Sequence, residues 1–217
     1  MTKQLVVVTA GLGKPSSTRL LADRLAAATA RHADVDVQVI ELRELATDIA
    51  QNMVTGFPSP PLSDAVEAVT SADGLIAVTP VFTGSYSGLF KSFFDVIDKD
   101  ALTGLPVLAA ATGGTARHSL VLEHAMRPLF AYLRAVVVPT AVYAASEDWA
   151  SDGDGALAAR VDRAAAELAA LLGARPGRPL HPADGTEHLG EPREPARADG
   201  MEVVPFAQQL AALAVEG

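Results

Sequence analysis

Three short segments of this sequence carry the residue types that could do chemistry. Residues 14–19, 80–88 and 112–115 are rich in hydroxyl side chains and glycine. Hydroxyls and the free N–H groups of a helix start bind phosphate, and glycine lets a flat ligand lie close to the backbone. The segments together predict one site for a phosphorylated planar cofactor. Its candidate residues are Ser16, Ser17, Thr18, Pro80, Val81, Phe82, Thr83, Gly84, Ser85, Thr112, Gly113 and Gly114.

Each segment taken alone also has an ordinary structural interpretation. Ser16 or Ser17 suits the N-cap of a helix, and the aromatic residues Phe82 and Tyr86 suit a hydrophobic core. The glycine pair at 113–114 is common in turns. A cap needs one hydroxyl, whereas residues 16–18 supply three in succession. The prediction of a site therefore depends on the three segments meeting in space.

The elements that precede these segments are predicted to bring them together. Apolar runs at residues 5–8, 74–79 and 106–111 are typical of strands buried on both faces of a parallel sheet. An alternating pattern at 34–42 predicts a more exposed strand, and residues 136–142 predict a last one. Helical spacing separates them, so we predict an α/β fold, a doubly wound three-layer sandwich of the flavodoxin type with a five-stranded parallel sheet. The carboxyl ends of such strands share the edge where ligands bind.

The remaining segments complete the predicted organisation. Helices are expected from about residue 17 and over residues 62–71, 89–97, 119–133 and 157–172, whereas residues 41–52 look irregular and 54–61 look like a turn-rich connection. We assign residues 1–174 to this domain. Residues 175–217, rich in proline, glycine and charge, are predicted to form an extended arm, whose apolar end at 203–215 has the spacing of a short helix.

Other phosphate-binding and hydrolytic motifs are incomplete or absent. Gly11 and Gly13 begin a dinucleotide fingerprint, but Ser16 stands where its third glycine belongs. The pair Gly13–Lys14 lacks the glycine that a P-loop needs five residues earlier, and it is followed by proline. The sequence contains no Gly-x-Ser-x-Gly nucleophile elbow. The histidines lack metal-ligand spacing and the carboxylates do not cluster, so we predict neither a metal site nor a catalytic acid or base.

Composition limits the partners and the compartment. The net charge is −9, which argues against a nucleic-acid interface, since that needs a clustered basic face. No run approaches the roughly 20 apolar residues that cross a membrane, and the first strand begins too early for a signal peptide. The sequence has no cysteine and hence no disulfide or thiolate chemistry. These features favour a cytoplasmic protein without a membrane partner.

The three motifs resemble those of the NADPH-dependent FMN reductase family. The resemblance runs from about Lys3 to Leu172 and rests on residues 14–19, 79–91 and 111–118. Two positions depart from the family's pattern: Lys14 stands where an arginine is frequent, and Phe82 where a tyrosine is frequent. Lysine supplies charge without the bidentate grip of arginine. Residues 122–129 are also similar to the branch of the family that supplies reduced flavin to monooxygenases, including luciferase-like partners.

The resemblance implies a function and a role for each segment. Ser16, Ser17 and Thr18 would hold the FMN phosphate, residues 80–85 would meet the isoalloxazine edge through their backbone, and residues 112–114 would flank the ring. The implied activity is hydride transfer from NADPH or NADH to FMN. In the branch that residues 122–129 resemble, a monooxygenase then receives the reduced flavin. Arg117 and His118 follow the third segment. Two interpretations of them are open: they contact the nicotinamide cofactor, or they belong to a solvated helix start.

An assembly of two or four chains is also expected. The helices after the second and third segments carry more apolar residues than a solvent-facing helix should, which together with the resemblance predicts a homodimer or homotetramer. Two alternatives to a flavin reductase remain open from the sequence. One is a flavodoxin-like electron carrier, and the other is a quinone or azo-dye reductase with tightly bound FMN.

Overall fold

The computed structural model describes residues 2–150 and 155–174. The strands are β1 (Lys3–Thr9), β2 (Val35–Glu41), β3 (Gly74–Phe82), β4 (Ser85–Tyr86), β5 (Pro106–Gly113), β6 (Val136–Val137) and β7 (Val142–Ala145). The helices are α1 (Ser17–His32), α2 (Ala46–Thr55), α3 (Pro60–Ser71), α4 (Gly88–Asp95), α5 (Arg127–Tyr132), α6 (Ser146–Ala150) and α7 (Ala156–Ala174). The arm predicted for residues 175–217 lies outside the described residues.

The sheet confirms the predicted fold class. The strand order is β2-β1-β3-β5-β6. The strand β7 also pairs with β5, nearer to the carboxyl end of β5 than β6 does. This is the order of a flavodoxin-like doubly wound sheet, in which the chain winds first to one side of β1 and then to the other. All of these pairs are parallel, and β4 alone pairs antiparallel, with β3.

Helices cover both faces of the sheet and give it two hydrophobic cores. On one face, α1 and α7 pack against the central strands through side chains that include Leu25 of α1 and Leu168 of α7, both fully buried. On the other face, α3, α4 and α5 pack around Phe90, Phe94 and Phe130. The rings of Phe94 and Phe130 meet edge to face with centroids 5.1 Å apart. The three layers therefore form as the alternation of strands and helices predicted.

The strand count differs from the prediction because the last strand is interrupted. Within the described residues the sheet has seven strands rather than five: the predicted strand at 136–142 is divided into β6 and β7, and the short β4 is added. Between β6 and β7, Pro139 has no N–H to give to a neighbour, and Thr140 gives its N–H and hydroxyl to the Glu167 carboxylate, both at 2.7 Å. Side chains thus replace the ladder where it is broken.

Two helical segments also differ from the prediction. The segment 41–52 is not irregular, because a 3₁₀ turn at Leu42–Glu44 leads into α2, which ends at Gly56 with φ of 77°. The predicted helix at 119–133 is not uniform: Leu122–Met126 is π-helical and only the part from Arg127 is α-helical. Pro128 lacks the N–H that would bond to the carbonyl of residue 124, which removes one α-helical bond at this junction.

Among the described residues, no helix combines the length and the apolar character needed to cross a membrane.

Candidate functional site

A cleft at the carboxyl edge of the sheet brings the three segments together. It encloses about 330 Å³. Because β1, β3 and β5 are parallel and in register, with Thr9 opposite Val78 and Pro80 opposite Thr112, the segments that follow them emerge side by side. The cleft is lined by Leu12, Gly13, Pro15, Ser16, Ser17, Thr18, Pro80, Val81, Phe82, Thr112, Gly113, Gly114 and Ser146.

The first segment turns directly into α1. Ser16 is the N-cap, and its hydroxyl oxygen accepts the N–H of Arg19 at 3.2 Å, so its hydroxyl hydrogen can be donated to a ligand. The N–H groups of Ser17 and Thr18 have no intrahelical acceptor, as in any first helical turn. Gly11 makes this turn possible, because a Cβ at that position would lie 2.1 Å from Ser16 Oγ. The cap and the candidate anion site are therefore one structure.

A buried hydroxyl pair connects the first segment to the third. Thr18 Oγ1 and Thr112 Oγ1 are 2.8 Å apart, and the two residues are 2% and 4% exposed. One hydroxyl must donate to the other, so the pair keeps one hydrogen for a further acceptor. The bond fixes the start of α1 against the end of β5. Thr18 is thus as much a structural link between two segments as a candidate ligand residue.

The second segment is a tight β-hairpin that only partly reaches the cleft. Thr83 and Gly84 form its tip with φ of 50° and 78°, the left-handed pair that a two-residue hairpin requires. Pro80, Val81 and Phe82 line the cleft, whereas Thr83 and Gly84 do not, and Ser85 lines a separate groove between α4 and α5. The structure therefore brings the beginning of this segment, and not its tip, to the other two.

Two buried hydroxyls that the sequence analysis did not single out anchor this hairpin. Thr79 Oγ1 donates to the carbonyl of Pro80 at 2.9 Å and accepts the N–H of Ser87 at 3.0 Å. Ser87 in turn caps α4 by accepting the N–H of Phe90 at 3.2 Å. Both side chains are fully buried. Thr79 comes directly before the second segment and Ser87 lies inside it, next to Gly88; hydroxyls at the two ends of a hairpin are the sequence signal that could have identified them.

The third segment lies against a tyrosine of β7. The Tyr143 hydroxyl donates to the carbonyl of Thr115 at 2.8 Å. A Cβ on Gly113 would lie 2.1 Å from the same hydroxyl oxygen, so only glycine fits here. Burial, reinforced by the Asp148 and Glu147 carboxylates, raises the pKa of Tyr143. The hydroxyl therefore stays protonated and remains a donor throughout the physiological pH range.

The cleft has one polar contributor that the sequence analysis missed. Ser146 follows β7 and adds a fourth strand end to the lining. The interrupted last strand hid it, because a strand predicted to end at residue 142 places its carboxyl end too early. Leu12 and Gly13, which precede the first segment, and Pro15 within it also line the cleft.

Charged side chains surround the first segment without entering the cleft. Arg19 pairs with Asp23 and Glu41, and the hydrogen bond with Asp23 is the largest cause that raises the pKa of Arg19. Arg43 pairs with Glu41 at 2.6 Å and donates to the carbonyl of Gly13 at 3.3 Å. This chain of ion pairs ties residue 13 to the end of β2. Arg117 and His118 are exposed and do not line the cleft, and no carboxylate is among its described lining residues.

The arrangement suits an anion at one end and a flat ring at the other. Hydroxyls and unpaired helix N–H groups converge near Ser16 and Ser17, which is the donor set that phosphate prefers. Backbone of residues 80–82 and 112–114 forms the other part of the cleft, with Phe82 46% exposed. Glycine at 113 and 114 keeps that side free of bulky side chains.

Comparisons with known proteins agree on one family. The family model described as NADPH-dependent FMN reductase matches residues 4–150. An FMN reductase (NADPH) of Pseudomonas aeruginosa is 39% identical over 174 residues, which is 79% of this chain and 94% of that protein. An NADH-dependent FMN reductase of Pseudomonas putida is 38% identical over 172 residues, covering 78% of this chain and 92% of the relative.

A solved structure is also similar. The oxidoreductase from Corynebacterium diphtheriae superimposes with a TM-score of 0.77 and is 47% identical, covering 81% of this chain and 99% of the other.

Replacing Gly11 by alanine is expected to displace Ser16 from its capping position, because the new Cβ would collide with Ser16 Oγ. Loss of a serine cap costs about 0.5–2 kcal/mol, so the free energy of unfolding in urea should fall by about 1 kcal/mol. The control is Gly173→Ala in α7, whose Cβ would meet nothing within 4 Å and which should be at least as stable as the parent chain. Equal stability of Gly11→Ala and the parent chain would contradict this account of the turn.

Proposed function

Because this chain belongs to the NADPH-dependent FMN reductase family, we propose that it transfers hydride from NADPH or NADH to FMN held in the strand-end cleft. The observation that carries the assignment of the site is the convergence of three separate segments of the matched region on one cleft. A generic α/β domain does not need hydroxyl- and glycine-rich sequence at three neighbouring strand ends. The composition fits a cytoplasmic enzyme, since cysteine is absent and structural disulfides are rare in that compartment.

The donor set at the first segment fits the phosphate of FMN. The proposal assigns the phosphate to the hydroxyls of Ser16 and Ser17 and to the free N–H groups of the first turn of α1. The Thr18–Thr112 pair supplies one further hydroxyl hydrogen to the phosphate. Lys14 stands on the same loop and adds positive charge. Because no carboxylate is among the described lining residues, a dianion meets no like charge inside the cleft.

The other part of the cleft fits the isoalloxazine ring. The proposal assigns the ring to the backbone of Pro80, Val81 and Phe82 on one side and of residues 112–114 on the other. The hairpin tip, residues 83–85, continues from Phe82 and is assigned to the outer edge of the ring. Bound FMN supplies the chemistry itself, because its ring accepts the hydride. The residues of the chain then have three tasks: they hold the phosphate, orient the ring, and leave one face open to the nicotinamide.

The lining explains why no side-chain acid or base is assigned. It contains serine, threonine, glycine, proline and apolar residues, and among the described lining residues there is no group that titrates near neutral pH. Hydride transfer depends on holding two rings face to face at contact distance, which is a matter of positioning. We further propose that the reduced flavin leaves the open cleft for a flavin-dependent monooxygenase, as the sequence of residues 122–129 indicated.

Anaerobic mixing of the FMN-loaded protein with NADPH or NADH tests the reaction. We expect the visible absorbance of oxidised flavin to bleach rapidly, and free FMN added in excess to be turned over. Free FMN with NADPH and no protein is the control. A flavodoxin-like carrier would keep its flavin oxidised. A quinone or azo-dye reductase would turn over those acceptors and not free FMN. Either of these results would overturn the proposed reaction.

Replacing Ser17 by alanine tests the phosphate assignment. Ser17 is exposed at the first helical position, and Ser16 rather than Ser17 provides the cap, so the fold should be retained. Because hydrogen bonds to charged groups contribute about 1.5 kcal/mol or more, the affinity for FMN should fall about tenfold. Riboflavin, which lacks the phosphate, should bind as before.

The matched control is Ser63→Ala in α3. Ser63 is also exposed, and it is not among the residues that line the cleft. Titration of flavin fluorescence measures both ligands in all three proteins. An equal loss of riboflavin and FMN affinity in Ser17→Ala, or no loss of either, would count against a phosphate contact.

We also propose that the chain forms a homodimer or homotetramer. Most of the apolar residues that suggested this are buried within the protomer, so they no longer argue for assembly; they are Phe90, Phe93, Phe94, Leu122, Met126 and Phe130. The support comes instead from a groove of about 660 Å³ between α4 and α5. Its floor includes Phe94 and Leu133, and Tyr132 on its rim is 71% exposed. A second copy would cover the apolar part of this groove, whose lining also includes Lys91, Asp95, Lys99 and His124.

Tyr132→Asp should reduce the assembly to a single chain, because it places a charge on the rim of that groove while leaving the core intact. Sedimentation analysis of the parent chain should give the mass of two or four chains. The matched control is Val54→Asp in α2, which is 87% exposed and away from the groove. A monomeric parent chain would refute the assembly, and an unchanged mass for Tyr132→Asp would refute this surface.

A further inference from the structure

Tyr143 makes an unusual pair of contacts with the third segment. Its hydroxyl donates to the carbonyl of Thr115 at 2.8 Å, and the same oxygen lies 2.1 Å from the place that a Cβ of Gly113 would take. Tyr143 lies opposite Ala111 in the pairing of β7 with β5. The Tyr143 ring, on β7, therefore packs against residues 113–115, which leave the neighbouring strand β5. The side chain is 7% exposed.

A second layer of contacts holds Tyr143 itself in place. The guanidinium of Arg160 in α7 donates to the Tyr143 carbonyl at 3.4 Å and to Asp148 at 2.8 Å. The other oxygen of Asp148 accepts the N–H of Ala145 at 2.8 Å. The end of β7 is thus fixed by side chains on both neighbouring helices. The position of Tyr143 is set by this network and not by the segment that it contacts.

We propose that Tyr143 is a positioning residue for the flavin ring, which it orients by fixing the backbone of residues 113–115. The inference rests on the proposed function, in which residues 112–114 flank the isoalloxazine. Thr115 is exposed, so water could satisfy its carbonyl if the tyrosine hydroxyl were removed. The bond satisfies the buried tyrosine hydroxyl, whereas the Thr115 carbonyl does not depend on it. Its main effect is to select one conformation of residues 114–115, which follow the pairing of Gly113 with Ala145 and whose Thr115 carbonyl also accepts a longer bond, 3.5 Å, from the His118 N–H.

The choice of residues at both positions agrees with this role. Phenylalanine would fill the same core position without holding the Thr115 carbonyl, and any residue other than glycine at 113 would displace the ring. The raised pKa of Tyr143 keeps the hydroxyl as a donor at all pH values where the enzyme would work. The nearby carboxylates of Asp148 and Glu147 also raise the pKa of Tyr143. Arg160 is hydrogen-bonded to Asp148 and to the Tyr143 carbonyl.

The test is Tyr143→Phe, which removes one oxygen atom and keeps the packing. We expect FMN and riboflavin to bind about fivefold to tenfold more weakly, by the same factor, because the ring and not the phosphate loses its support. Ser17→Ala, by contrast, should weaken only FMN. Flavin fluorescence titration gives both affinities without any turnover, and the KM for FMN should rise more than kcat falls.

Two further variants separate positioning from general stability. Thr29→Val deletes another buried hydroxyl, which bonds the Leu25 carbonyl within α1 at 2.9 Å, and it should leave both affinities unchanged. Gly113→Ala should weaken flavin binding strongly, because its Cβ would lie 2.1 Å from the Tyr143 oxygen and 3.1 Å from Cζ. In the double variant Gly113→Ala/Tyr143→Phe the closer collision is gone, so the combined loss should be smaller than the product of the two single losses.

The outcomes distinguish this inference from the proposed function. If the parent chain binds neither FMN nor riboflavin, the flavin site itself is wrong, and the inference falls with it. If the parent chain binds both and Tyr143→Phe binds them equally well, the flavin site stands and the positioning role is refuted. A loss confined to FMN would assign Tyr143 to the phosphate end and also refute it. Strictly multiplicative losses in the double variant would show that the two residues do not act on each other.

Discussion

The parallel register of the central strands is the constraint on which the site depends. Because β1, β3 and β5 run in the same direction with matched ends, the residues that follow each strand must leave the sheet at one edge. The first segment, which precedes the other two by more than 60 residues in the sequence, therefore becomes their neighbour through strand direction alone. A site that binds a phosphate group and a flat ring of the same ligand needs this proximity. Everything else at the edge refines positions that the sheet has already brought together.

Hydroxyl groups provide much of that refinement, and they act between segments as well as toward a ligand. The Thr18–Thr112 pair connects the first segment to the third, Thr79 and Ser87 close the base of the hairpin, and Tyr143 supports the third segment from β7. Short polar side chains suit this task because they bond backbone groups at fixed distances and occupy little volume. The proposed flavin cleft is therefore surrounded by hydrogen bonds that the chain makes within itself. Such preorganisation lowers the cost of ordering loops on binding.

The sequence predicted the layers of the fold and the neighbours in the site, because both follow from strong local patterns. Continuous apolar runs identify buried strands, and strand direction then determines which loops meet. The glycine and hydroxyls of the hairpin tip predict it in the cleft, whereas the described lining includes Pro80, Val81 and Phe82 of this segment, after which the chain turns back to pair Ser85 with Phe82. The helix α2 was missed because it lacks the usual start signal: Leu45 stands at its N-cap position and makes no side-chain cap hydrogen bond. Ser146 was missed because the break near Pro139 hid the real end of the last strand.

That break also affects how the sheet meets its surroundings. The segments β6 and β7 occupy the outermost position next to β5, where an uninterrupted strand would offer a row of open N–H and C=O groups to any passing chain. Here the Glu167 carboxylate covers the N–H of Thr140, and the Arg127 guanidinium covers the carbonyls of Val138 and Pro139. Proline removes one more donor from the row. The molecule thus protects itself from edge-to-edge aggregation on this side by the same irregularity that shifts Ser146 into the cleft.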